Sequence, residues 1–245
     1  VIITGDITQR ARPSQFRDAR SFLKKISPTP SVAVPGNHDI PLFNLFGRLF
    51  HPYRGYTRYF TPLLESDLNL SGVRVLTLNS TSRWRHVQGS LPIDELKRRL
   101  QTPTPEPSIT IAAFHHPIDC AQHVDNKNLL RGREEVMRLF EKAQVDLVLG
   151  GHIHDPYVAL SDSRYPEVKR KLIVSVAGTC LSWRVRADAP NSFHLIEIEN
   201  GTYPILNIYR YDTTPEMAFM RVAEHRFQRQ AQIGWTTLES PAKDV

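Results

Sequence analysis

Four short apolar runs in this chain each end in residues able to ligate a metal ion, and that repetition constrains the fold more than any other feature. Val1–Ile3 leads into Thr4-Gly5-Asp6, and Val32–Val34 into Pro35-Gly36-Asn37-His38-Asp39. Ile109–Phe114 leads into His115-His116-Pro117, and Leu147–Leu149 into Gly150-Gly151-His152-Ile153-His154. Short apolar runs bounded by Gly and Pro read as buried strands. In an open α/β sheet the carboxyl ends of parallel strands face one crevice, so side chains scattered between positions 6 and 154 can meet at a point.

The segments between these runs fit that architecture. Phe16, Ala19, Leu23 and Ile26 recur at helical spacing after Pro13, and Pro28 with Pro30 closes the helix. Strand, helix and parallel strand make a βαβ unit. Pro41 to Tyr59, rich in Phe, Tyr and Arg, reads as a short helix and a loop, either a substrate rim or irregular core. Ser71-Gly72 marks a two-residue hairpin between Leu68–Leu70 and Val73–Leu78. Helices are predicted over Pro92–Leu100 and Arg133–Ala143, with the Thr102–Pro107 linker between them as a loop.

From Tyr157 onward strands follow one another without helices: Tyr157–Leu160, Lys171–Val176, Ser192–Ile198 and Thr202–Tyr209. Asn200-Gly201 predicts a type I′ turn, and Pro204 an edge strand. Beyond Thr213 there is only a weak helical signal around Met217–Phe227. The expected fold class is α/β, a mixed sheet, parallel in its first half and antiparallel in its second, flanked by helices. One domain is expected over residues 1–212, followed by an extension over 213–245.

With 245 residues, 40% of them hydrophobic, the chain can bury a sizeable core. No run approaches 18 apolar residues, so no membrane span is expected. Val1-Ile2-Ile3 reads as the middle or end of a buried strand, so further sequence, including an N-terminal strand, is expected upstream. Two cysteines, Cys120 and Cys180, are too few for a disulfide framework and suit a reducing, cytoplasmic setting. The net charge of +6 suits anionic partners. No basic stripe is interleaved with aromatic residues, which argues against nucleic acid. Arg184, Arg186 and Asn191 are candidate phosphate contacts, with surface ion pairs as the alternative.

Carboxylate, amide oxygen and imidazole are the ligands that hard and borderline divalent metals favour. Asp6, Asn37, His115, His152 and His154 supply all three. His152 and His154 share one turn, so they can serve two ions, and a carboxylate such as Asp6 can bridge ions about 3.5–4 Å apart. Each residue alone has a plainer reading as a turn or core residue. Together, from four strand ends, they point to a metal centre.

Gly5-Asp6, Gly36-Asn37-His38-Asp39, His115 and Gly151-His152-Ile153-His154 resemble the motif set of the calcineurin-like metallophosphoesterases. Gln88-Gly89-Ser90-Leu91, Leu130-Arg131-Gly132, Gly178-Thr179 and Pro190–Phe193 are similar to the bacterial branch containing class III cyclic nucleotide phosphodiesterases. The resemblance implies a β-sandwich of mixed sheets flanked by helices, two divalent or trivalent metals (Mn, Fe or Zn), and hydrolysis of a small phosphodiester by a hydroxide shared between the ions. It makes Asp6 the bridging carboxylate and assigns Asn37, His115 and His152 to one ion and His154 to the other. His38 would act at the leaving oxygen, with Asp39 orienting its ring. His116 reads as a loop or supporting histidine. The family's opening Asp-x-His has no counterpart in this sequence and is expected upstream of Val1. The alternative function is a non-catalytic scaffold of the same fold, against which the retention of His38 and Asp39 argues. Oligomeric state is not legible.

Overall fold

A computed structural model of the chain describes residues 1–102, 109–182 and 189–238. Strands β1 (Ile2–Ile3) and β2 (Val32–Ala33) pair in parallel, Ile2 opposite Val32, and are connected through α1 (Pro13–Lys25). Pro13 suits the first helical position because its missing N–H has no partner there in any case. The buried face of α1 carries Phe16, which packs edge-on against Tyr56. Where one short helix was expected, two form, α2 (Leu45–Phe50) and α3 (Arg54–Tyr59).

The main sheet has six strands in the order β3-β4-β5-β6-β8-β7. β3 (Asp67–Leu70) and β4 (Val73–Thr77) form the expected hairpin, with Gly72 at φ 73°. Then follow α4 (Ile93–Leu100), β5 (Ile109–Ala113), α5 (Arg133–Lys142), β6 (Leu147–Gly150), β7 (Tyr157–Leu160) and β8 (Ile173–Val176). β4, β5, β6 and β8 are mutually parallel, so their carboxyl ends lie along one edge of the sheet.

Alternation along each strand separates two cores. Leu76, Ala112, Val148 and Val174 face α4 and α5. Val75, Ile111, Leu147 and Ile173 face the other way, onto Leu206, Ile208, Phe227 and Trp235. The latter belong to a second sheet of order β12-β11-β10-β9, formed by β9 (Ser192–Glu199), β10 (Ile205–Thr213), β11 (Phe219–Gln230) and β12 (Gly234–Leu238). Two mixed or antiparallel sheets packed face to face, with helices outside, form the expected sandwich.

Three expectations for the second half are corrected. β8 runs parallel to β6 in the main sheet, not antiparallel, and β7 pairs with it as an antiparallel edge. The segment Met217–Phe227 is not helical: β11 pairs along β10, Phe227 opposite Leu206, and that pairing overrides a weak local helical period. The turn at Asn200-Gly201 is a five-residue connection spanning 200–204, Gly201 lacks a positive φ, and β10 lies inside its sheet rather than at an edge. Pro204 precedes that strand, and its carbonyl accepts from Arg229 N.

β10 runs through position 212, and the strands after it close the same core. Trp235 is fully buried and its Nε1 donates to Asp146 Oδ1 at 3.0 Å. Among the described residues, no helix is long and apolar enough to cross a membrane. The Thr102–Pro107 linker lies, after Thr102, outside them.

Candidate metal centre

The four polar loops meet at the carboxyl ends of β1, β2, β5 and β6. Close approach requires glycine at two of them. A Cβ on Gly36 would lie 2.1 Å from Asp6 N, and one on Gly5 would lie 2.4 Å from His115 Nδ1. Gly5 is also at φ 97°, which few side-chain-bearing residues adopt. Asp6, His152 and His154 themselves have left-handed backbones, at φ 50°, 68° and 63°. Such strain persists only where the surroundings enforce it, and it clusters at functional sites. On the last loop, Ile153 is buried against Cys120 and Leu129, which anchors the turn between its two histidines.

Asn37 Oδ1 lies 3.0 Å from His115 Nε2 and 2.9 Å from His152 Nδ1, and Asp6 Oδ1 lies 3.3 Å from His115 Nε2. Metal–ligand bonds of about 2.0–2.2 Å place neighbouring ligands of one ion about 2.8–3.6 Å apart. The observed spacings match that range. His115 Nδ1 donates to the Thr4 carbonyl at 2.8 Å, so its other nitrogen points at two oxygens, Asp6 Oδ1 and Asn37 Oδ1. A backbone carbonyl behind an imidazole is the usual support of a metal-binding histidine. The donor set therefore fits a cation between Asp6, Asn37, His115 and His152.

Electrostatics agree. Burial alone would raise the Asp6 pKa, but the charge and hydrogen bond of His115, then those of His38, hold the carboxyl well below its ordinary range. Burial lowers the His115 pKa, yet Asp6 carries it above its usual value. His152, half-buried and beside His115, is pushed down to about 3, first by the burial and then by the charge of His115. His116 is lowered by burial and by both neighbours. The cluster thus accommodates one positive charge beside Asp6 and resists further protons.

His154 stands on the same turn as His152, with its Nδ1 3.5 Å from Thr179 Oγ1. His38 N donates to Asp6 Oδ1 at 3.0 Å, and its ring Nδ1 lies 3.0 Å from the Gln9 carbonyl. The expected contact of Asp39 with that ring is replaced by another arrangement. Asp39 accepts from Ile7 N, Thr8 N, Thr8 Oγ1 and Gly36 N at 2.8–3.1 Å, clamping the loop after β1 to the turn after β2. Burial, and then the charge of Asp6, push its pKa up to about 6 against the pull of those hydrogen bonds. The short turn explains the change: residues 37–39 form one 3₁₀ turn that carries the neighbouring side chains in different directions.

His116, read as a supporting histidine, lies closer to the ligands than that reading required, and Gln9, Ser80 and His86 escaped the sequence reading. His116 joins His115 and His152 in a group whose donor atoms lie within 4.8 Å of one another. Its Nδ1 is 2.8 Å from Ser80 Oγ, and its Nε2 is buried without a hydrogen-bond partner. The His86 ring packs edge-on to that of His38 at 5.6 Å between centroids. The doublet His115-His116 was the one available signal; Gln9, Ser80 and His86 have none. Arg184 and Arg186 lie outside the described residues, and Asn191 is buried, donating to the Ser182 carbonyl at 2.7 Å.

Comparison with known proteins follows the geometry. Residues 1–156 match the profile of the family described as calcineurin-like phosphoesterase. A Synechococcus protein named "Probable cyclic nucleotide phosphodiesterase" is 27% identical over 162 residues, covering 64% of this chain and 58% of its own length. A Rhodococcus erythropolis protein of the same description is 26% identical over 167 residues, covering 63% of this chain and 50% of its own. The chain thus spans between half and about three-fifths of these curated relatives. Among solved structures, a dimetal phosphatase from Danio rerio aligns with TM-score 0.58 at 13% identity, covering 96% of this chain and 83% of that one. A purple acid phosphatase from yellow lupin (Lupinus luteus) seeds aligns with TM-score 0.58 at 12% identity, covering 90% and 45%. Those two show a shared fold. The match to the family profile, over the segment that contains all four converging loops, places this chain in the calcineurin-like phosphoesterase family.

Proposed function

We propose that this chain forms the site of a binuclear metal-dependent phosphodiesterase acting on a small, cyclic nucleotide-like phosphodiester. The observation that carries this reading is the convergence of Asp6, Asn37, His115 and His152 at ligand spacing beside His38. The names of the relatives favour a diester over a monoester. Asp6 would be shared between ions, Asn37, His115 and His152 would complete one of them, and His154 would serve the other. Bound divalent ions supply an acidified water and neutralise phosphate charge.

The chain's own groups do the rest. The Thr4 carbonyl fixes the His115 ring. The Gln9 carbonyl, which can only accept, takes the Nδ1–H of His38, so that the doubly protonated ring would give its Nε2 proton to the leaving oxygen and be left neutral with Nδ1–H still on that carbonyl. Asp39 acts at one remove, holding the two loops in register.

The test is hydrolysis of bis-p-nitrophenyl phosphate and of cyclic nucleotides by protein loaded with Mn, Fe or Zn, alongside metal analysis. Turnover that depends on metal, with the monoester p-nitrophenyl phosphate the poorer substrate, is expected. Two bound metals without turnover would instead make this a scaffold of the same fold.

A further inference from the structure

The rim beside His38 is apolar where a phosphate site would ordinarily be wet. Phe43, Leu45, Phe46 and Phe50, on and before α2, are 60–76% exposed, and Trp84 in the 82–87 loop is 76% exposed. The two segments form one surface because Arg48, buried, straps them together. Its guanidinium donates to the carbonyls of Ser82, Arg83 and Arg85, while Arg83 donates back to Leu49 O at 2.7 Å. This surface adjoins the site directly: His38 lies just before it in the chain, and His86, on the same loop, packs against the His38 ring.

Its charges have one sign. The stretches 7–17, 40–64 and 80–93 contain no Asp or Glu. Arg10 stands over the Phe43 ring at 5.7 Å, and Arg54, Arg83 and Arg85 are exposed around the patch. Exposed aromatic and aliphatic tips ringed by arginine are the composition of surfaces that lie in a lipid interface, where anionic headgroups receive the cations. A second copy of this chain fits poorly, since a two-fold contact would set these arginines against one another with no carboxylate between them.

We propose that residues 42–50 and 83–87 dock on an anionic lipid bilayer, with the mouth of the site held against the headgroup layer. The binding does not depend on the catalytic reading above, and it is measured without turnover.

The experiment is co-sedimentation of the full chain with vesicles of phosphatidylcholine containing about one-third phosphatidylglycerol, compared with phosphatidylcholine alone. Binding to the anionic vesicles, with a blue shift of tryptophan fluorescence, is expected. The doubly substituted Phe46→Ser, Trp84→Ser protein should bind ~tenfold or more weakly while keeping its Tm, because both side chains are exposed. Arg54→Gln with Arg85→Gln should weaken the preference for anionic vesicles. Equal binding to neutral vesicles, or binding unchanged in the Phe46, Trp84 variant, would overturn the proposal. So would absence of vesicle binding, including the case in which light scattering shows a dimer that the same variant abolishes.

Discussion

Replacing Gly36 by alanine tests how the site is assembled. Gly36 has φ −102° and ψ 176°, ordinary extended backbone, so alanine introduces no conformational strain. The cost is contact alone: the new Cβ would lie 2.1 Å from Asp6 N, 2.2 Å from Asp6 Oδ1 and 2.8 Å from Asp6 Cα. Normal contact begins near 3.4 Å, so the turn after β2 and the loop after β1 must part by about 1 Å. Both partners are largely backbone, which places the cost at the upper end of overpacking, about 3 kcal/mol. For a chain of this size that lowers Tm by roughly 10 °C. Ligand positions tolerate only ~0.2 Å, so Mn²⁺ affinity should fall ~100-fold or more. Thermal melts with calorimetric metal titration would read both effects. Gly201→Ala, where nothing lies within 4 Å of the new Cβ, is the control and should change neither. A Gly36→Ala protein with wild-type Tm and wild-type metal affinity would refute this packing.

His38→Ala should retain metal and Tm while turnover falls ~10²–10⁴-fold, read by steady-state kinetics with metal analysis; loss of metal would contradict the proton-transfer role. Trp235→Ala removes a fully buried side chain that joins β12 to the inter-sheet core, and should cost about 4 kcal/mol; an unchanged melt would mean that the last strands are a dispensable extension. His194, whose Nδ1 lies 2.8 Å from Ser175 Oγ across the sandwich, is pushed down to about 4, first by burial and then by Arg210. The folded protein resists a proton that the unfolded chain takes up near pH 6.5, so the neutral histidine's stability is complete above that pH and is lost as pH falls toward 4. That amounts to at most about 3 kcal/mol, and His194→Asn should flatten the acid limb of a denaturation series.

The strand-end loops were legible because chemistry and spacing coincide there: an apolar run followed by Asp, Asn or His fixes both the strand and the side chain it presents. α1, α4 and α5 were legible from their period, whereas Pro41–Tyr59, read as one short helix and a loop, forms two helices. Illegible were features set by distant partners. β11 falls on a segment with only a weak helical signal, and β10 alongside makes it a strand. The same holds inside the site. Asp39 follows His38 in sequence, yet backbone N–H groups of Ile7, Thr8 and Gly36 claim its carboxylate. The resemblance separates His116 from His115, but that Ser80, beyond the end of β4, holds the His116 ring is visible only in the folded geometry.

The most direct test of the metal centre is Mn²⁺ binding followed by electron paramagnetic resonance on the wild-type chain and on Asn37→Ala and His115→Ala. Asn37 Oδ1 and His115 Nε2 sit 3.0 Å apart at the centre of the donor set. The expected result is a bound-Mn²⁺ signal in the wild type that each substitution weakens by at least ~tenfold in affinity, with the fold retained by circular dichroism. Undiminished Mn²⁺ binding in both variants would contradict the convergence of the four loops on a metal.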